Sequence, residues 1–94
     1  MARTRARYIP EWLFKRYAQL YKEVNLNEFS MEDSKRILGG KEKLVYDVLS
    51  ELTKAGWMTR RFHPTDARKR IYQLRDPGEV IMEIIEGLSE SNFK

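Results

Sequence analysis

Apolar residues recur at Leu13, Tyr17, Leu20 and Val24, a spacing of three to four that gathers them on one side of a helix. Pro10 fits the first turn of that helix, where its missing N–H would have no partner. The pattern predicts a first helix over residues 10–24. Its apolar arc widens through Phe14, Ala18 and Tyr21, more than one core contact needs, so this side is expected to meet a second copy of the chain. Ser30 followed by Asp33 makes an imperfect capping box and predicts a short second helix over 30–38, stopped by Gly39 and Gly40. Leu44, Val45, Val48, Leu49, Leu52 and Ala55 share one arc of a third helix, residues 41–55, with Gly56 at the stop position.

Beyond Gly56 the period changes. Residues 57–62 and 69–75 are rich in aromatic, β-branched and long basic side chains, while 63–68 between them contain Pro64 and Asp66. This predicts a β-hairpin over 57–75 with a six-residue tip. Alternation assigns Trp57, Thr59 and Arg61 to one face and Met58, Arg60 and Phe62 to the other. Asp76 and Pro77 then supply a cap and a first-turn proline for a fourth helix over 77–88 that closes the domain. Val80, Ile81, Ile84, Ile85 and Leu88 line one of its faces, opposite Glu79, Glu83 and Glu86. The acidic face reads as solvated surface, and Met82 at the apolar border joins the expected interface. Residues 89–94 show no periodicity and are expected to fray.

Ninety-four residues, 41% of them hydrophobic, have room for one core and one domain. The mainly helical α+β composition carries no cysteine, which excludes disulfides, thiolate metal sites and cysteine nucleophiles. No apolar run approaches the roughly 20 residues that span a bilayer, and none of signal-peptide length follows Arg3, Arg5 and Arg7. A soluble cytoplasmic protein is expected. Glycine-rich phosphate loops and paired acid–base groups are absent, and His63 is the sole histidine, in a loop with no zinc-type cluster around it. Neither an enzyme nor a cofactor is expected.

Charge adds a direction. The net charge is +4, but its distribution says more. Residues 54–75 hold seven basic residues and one acid, whereas 76–94 hold five acids and one lysine. A second basic cluster, including Arg3, Arg5 and Arg7, forms an arm over residues 1–8.

The order helix, short helix, glycine turn, longer helix, hairpin, helix resembles the winged helix-turn-helix family of DNA-binding regulators over nearly the whole chain. The sharpest local likeness runs from Leu49 through Leu52, Gly56 and Trp57 to Arg60, then Arg70, Tyr72 and Leu74. That resemblance implies a third helix lying in the major groove of duplex DNA and a hairpin wing on the backbone or minor groove. It also implies a dimer on two half-sites about one duplex turn apart. The helix would present Lys41, Lys43, Tyr46, Ser50 and Lys54; the wing would present Arg60, Arg61, Arg68, Lys69 and Arg70. The arm bearing Arg3, Arg5 and Arg7 would add minor-groove or phosphate contacts. Glu42 and Asp47 run against this, because phosphate repels carboxylates, and they support a rival reading as a protein-interaction module. RNA binding through the basic hairpin is a further alternative.

Overall fold

Each helix begins and ends on local chemistry. The computed structural model describes residues 5–92, with side chains as far as Leu88. Helix α1 (Glu11–Val24) starts after Pro10, whose carbonyl accepts the N–H groups of Leu13 and Phe14, each at 3.0 Å. Strand β1 (Phe29–Ser30) leads directly into α2 (Met31–Leu38). The capping box there is complete rather than imperfect: Asp33 N–H donates to Ser30 Oγ at 3.1 Å, and Ser30 N–H donates to Asp33 Oδ2 at 3.0 Å. Two orphan amides are satisfied, and caps of this kind contribute about 1 kcal/mol.

Gly39 and Gly40, with φ of +63° and +72°, turn the chain into α3 (Glu42–Lys54). Gly56, at φ +81°, ends that helix: its N–H donates to the Thr53 carbonyl and the Trp57 N–H to that of Leu52. This paired closure needs the left-handed backbone that glycine adopts without cost. Strands β2 (Met58–Phe62) and β3 (Arg70–Leu74) follow, then α4 (Pro77–Asn92), which Asp76 caps through Glu79 N–H at 3.0 Å. Helix α4 therefore continues past Leu88, where the sequence pattern ended it, and residues 89–92 are helical.

The sheet holds three strands, in the order β1-β3-β2, where the sequence predicted only a two-stranded hairpin. Strand β1 pairs antiparallel with β3, Phe29 opposite Tyr72 and Ser30 opposite Ile71. Two residues carry no alternation, so only the pairing itself reveals that strand. The register between β2 and β3 runs from Met58 opposite Leu74 to Phe62 opposite Arg70.

Helices α1, α2 and α3 pack against the base of this sheet around Leu13, Leu20, Val45, Val48, Leu52 and Met58, all buried. Each such aliphatic side chain contributes about 1.5–3 kcal/mol through burial. Helix α4 reaches the core chiefly through Val80, with Ile84 packed at its margin, while Ile81, Met82 and Ile85 are exposed. It does not close the domain with a continuous apolar face. The acidic side departs from expectation too, since Glu79 and Glu83 turn to Arg75.

Tyr17 makes one stability prediction. Its ring meets Trp57 edge to face at 5.1 Å, and its hydroxyl donates to the Arg75 carbonyl at 2.8 Å. Burial, helped by nearby Tyr21 and Asp76, pushes the phenol up from 10.0 to about 12. Between those values the folded chain keeps a proton that the unfolded chain releases. The contribution is full below the unfolded value and is lost as pH rises through the folded one. Thermal midpoints should therefore fall more steeply between about pH 10 and 12 for the wild type than for Tyr17→Phe. Parallel falls would contradict the assignment.

Candidate nucleic-acid interface

Pleating sends Arg60 of β2 and Tyr72 and Arg70 of β3 to one face of the hairpin, and Tyr46 stands on the outward side of α3 facing the same space. The result is a groove of about 720 Å³, bounded by Ser30, Met31 and Glu32 at the start of α2, by Tyr46, and by Arg60, His63, Arg68, Lys69 and Arg70 of the hairpin. Tyr46 is exposed, so an aromatic hydroxyl is presented on one wall and a row of cations on the other. The hairpin tip is held by its own turn: Asp66 Oδ1 accepts from Arg68 N–H at 3.1 Å, and Asp66 O accepts from Lys69 N–H at 3.0 Å. His63 belongs to this turn, its Nδ1 accepting from Thr65 N–H at 3.2 Å.

Ion pairing sorts the cations. On α2 and α3, Lys43 meets Asp47 at 3.1 Å, and Lys35 lies 3.6 Å from Glu42 and 3.7 Å from Glu32. On the hairpin, Arg61 is paired with Glu28, and Arg68 lies 3.5 Å from Asp66. Among the described residues, Arg60, Lys69 and Arg70 have no carboxylate within ion-pair distance, and neither do Lys41 and Lys54 at the two ends of α3. Three of these uncompensated cations stand on the hairpin wall. Their field reaches the core edge, where burial pushes the Tyr72 hydroxyl up while Arg60 and Arg70 pull it down. Ser50 is half-buried on α3 and contributes less surface than Tyr46 or Lys54.

The end of the arm is fastened to the body: Ala6 is buried, Arg7 N–H donates to Ala55 O at 2.9 Å, and Trp57 Nε1 donates to Arg7 O at 2.7 Å. The Arg7 guanidinium donates to the Lys54 carbonyl at 3.0 Å, a cation at the negative end of α3. Arg5 lies beside Gly87 of α4, with its Cδ 3.9 Å from where a Cβ there would stand. Arg3 lies outside the described residues.

Arg75, counted by the sequence among the basic residues near the hairpin, is buried. Its Nη1 donates to Gly56 O at 2.7 Å and to Glu83 Oε1 at 3.1 Å, and its Nη2 donates to Glu79 at 2.6 Å and to Glu83. Glu83 Oε1 also accepts the Ala6 N–H at 2.9 Å. Hydrogen bonding to Glu83, then to Glu79, outweighs desolvation and raises the guanidinium above its usual value. The spacing of Arg75 and Glu79, four apart at a helix start, was the available sequence signal for part of this cluster.

A second surface is apolar. Tyr8, Ile9, Phe14 and Trp57 form a shallow groove of about 290 Å³ with Ile81, Ile84, Ile85 and Leu88 of α4. Of the expected interface residues it gathers Phe14, which also meets Trp57 edge to face at 5.8 Å. Met82 is exposed on α4 outside this groove, and Ala18 and Tyr21 are half-buried along α1. Tyr8 and Ile9 were missed, although an apolar pair directly before Pro10 marks them. Among the described residues no group of three or more potential metal-ligating side chains gathers, and no helix is long and apolar enough to cross a membrane.

No protein-family profile matches the chain, and no curated protein matches it. Among solved structures it is similar to a mutant MarR from E. coli, with a TM-score of 0.59 and 21% sequence identity. The match covers 89% of this chain and 60% of the MarR chain. At that identity the likeness establishes the fold, a small winged helix.

Proposed function

We propose that this chain binds duplex DNA without catalysis, as a regulator of transcription, with α3 in the major groove and the β2–β3 hairpin as a wing on the backbone or minor groove. The observation that carries this is the row of uncompensated cations, Arg60, Lys69 and Arg70, facing exposed Tyr46 across the groove. Phosphate contacts of this kind position a protein on the duplex, while side chains on a helix in the major groove read base edges. Lys41 at the start of α3 and Lys54 at its end extend the positive track. The carboxylates that favour a partner protein, Glu42 and Asp47, are each matched by a lysine, which lowers their repulsion of phosphate.

Two copies would pair through the apolar surface around Phe14, Ile81 and Ile85, each roughly half exposed. Exposed apolar side chains gathered in one patch mark association sites more often than solvated surface. Fluorescence anisotropy with a labelled mixed-sequence duplex, challenged by an RNA hairpin, tests the main proposal. Preferential competition by duplex supports it, and preferential competition by RNA overturns it. Sedimentation velocity tests the pairing, which a monomer at every accessible concentration would sink.

A further inference from the structure

Along the groove side of the hairpin, the β2 and β3 residues pair as Met58 with Leu74, Arg60 with Tyr72, and Phe62 with Arg70. Met58, Leu74 and Tyr72 are buried, but the third pair stands beyond the core, and Phe62 is 59% exposed. A phenyl ring there gains little from burial in the chain's own core. The Arg70 guanidinium carbon sits 4.3 Å from the ring centroid, so one face of the ring is held by a cation. Arg60 and Lys69, both exposed and without carboxylate partners among the described residues, lie on the same hairpin.

We propose that Phe62 is an apolar wedge that enters the minor groove of duplex DNA and partly unstacks a flexible pyrimidine–purine step. Arg70 fixes the ring from behind, while Arg60 and Lys69 seat on flanking phosphates. The inference rests on the duplex-binding reading and deepens it by naming a side chain that deforms the duplex. Apolar side chains inserted beside basic ones kink DNA by opening a base step, and TA and CA steps open most readily. A single-strand platform would instead need successive open aromatic faces. Phe62 is the hairpin's only exposed aromatic, and one of its faces is occupied.

The test uses a duplex with 2-aminopurine at its TA steps, whose fluorescence rises on unstacking, read alongside affinity and its salt dependence. Wild-type protein should raise the fluorescence. Phe62→Ala should abolish the rise and weaken binding by about tenfold, the equivalent of roughly 1.4 kcal/mol, with an unchanged salt slope. Phe62→Leu, which keeps an apolar wedge, should retain most of the rise. Wild-type binding without a rise, or a rise that survives in Phe62→Ala, overturns the wedge while leaving duplex binding standing. Absence of wild-type binding to duplex overturns both. Circular dichroism of each variant separates loss of the wedge from loss of the fold, and the Leu variant carries the test if the Ala variant is unfolded.

Discussion

Replacing Arg60, Lys69 and Arg70 together by glutamate is expected to weaken binding to a mixed-sequence duplex by about a hundredfold or more at roughly 0.1 M salt. Among the described residues each of these cations lacks a carboxylate partner, which leaves it able to displace a counterion from a phosphate. Reversal replaces that gain with repulsion, and the loss should be similar across sequences, because phosphates carry no base information. Because Arg70 also holds Phe62, the pair Arg60→Glu and Lys69→Glu is the cleaner electrostatic variant, with an expected loss of about tenfold or more. Reversing Lys15 and Lys22 on α1 changes net charge as much as that pair does, but should have a much smaller effect. Equal losses from both pairs would mean that overall charge, rather than the hairpin, drives binding.

Arg75→Met is expected to destabilise the fold by about 3 kcal/mol, measured by urea unfolding. The guanidinium is the hub that joins Gly56 at the hairpin base to Glu79 and Glu83 of α4, and Glu83 in turn holds the Ala6 amide of the arm. Removing the cation leaves Glu83, largely buried, without the guanidinium that it shares with Glu79. Its partner variant makes the point sharper. Adding Glu83→Leu to Arg75→Met removes the second half of the ion pair and should recover part of the loss, because a buried ion pair is costly to break but less costly to replace. A loss below about 1 kcal/mol in Arg75→Met would contradict the role of this cluster in fastening α4.

The contrast between these two groups of cations shows what a linear pattern conveys. Helix punctuation is local chemistry: the Ser30 and Asp33 pair, the positive-φ turns at Gly39, Gly40 and Gly56, and the Asp76 cap all depend on neighbours within a few positions. They were legible for that reason. Strand β1 was not, because two residues acquire strand character only by meeting β3 more than forty positions later. Arg75 looks in sequence like any other basic residue near the hairpin. Its burial depends on α4 crossing the hairpin base and on Glu83, two helical turns away, turning inward.

The candidate interface divides along the same line. That residues 60–70 are basic was plain from composition. Which cations remain uncompensated was not, since Arg61 finds Glu28 from a distant loop while Arg60 finds no carboxylate among the described residues. Nor does the run of arginines in the arm convey that Trp57 and the end of α3 hold Arg7. In each case the deciding partner is distant in sequence, and no period or short spacing encodes it.

The most direct test of duplex binding is the affinity of the wild-type protein for a mixed-sequence duplex across a series of salt concentrations. With Arg60, Lys69, Lys41 and Lys54 on phosphates, the logarithm of affinity should fall against the logarithm of salt with a slope of about −3 to −4 per protomer. No binding tighter than about 10⁻⁴ M at low salt, or a slope shallower than about −1, would contradict it.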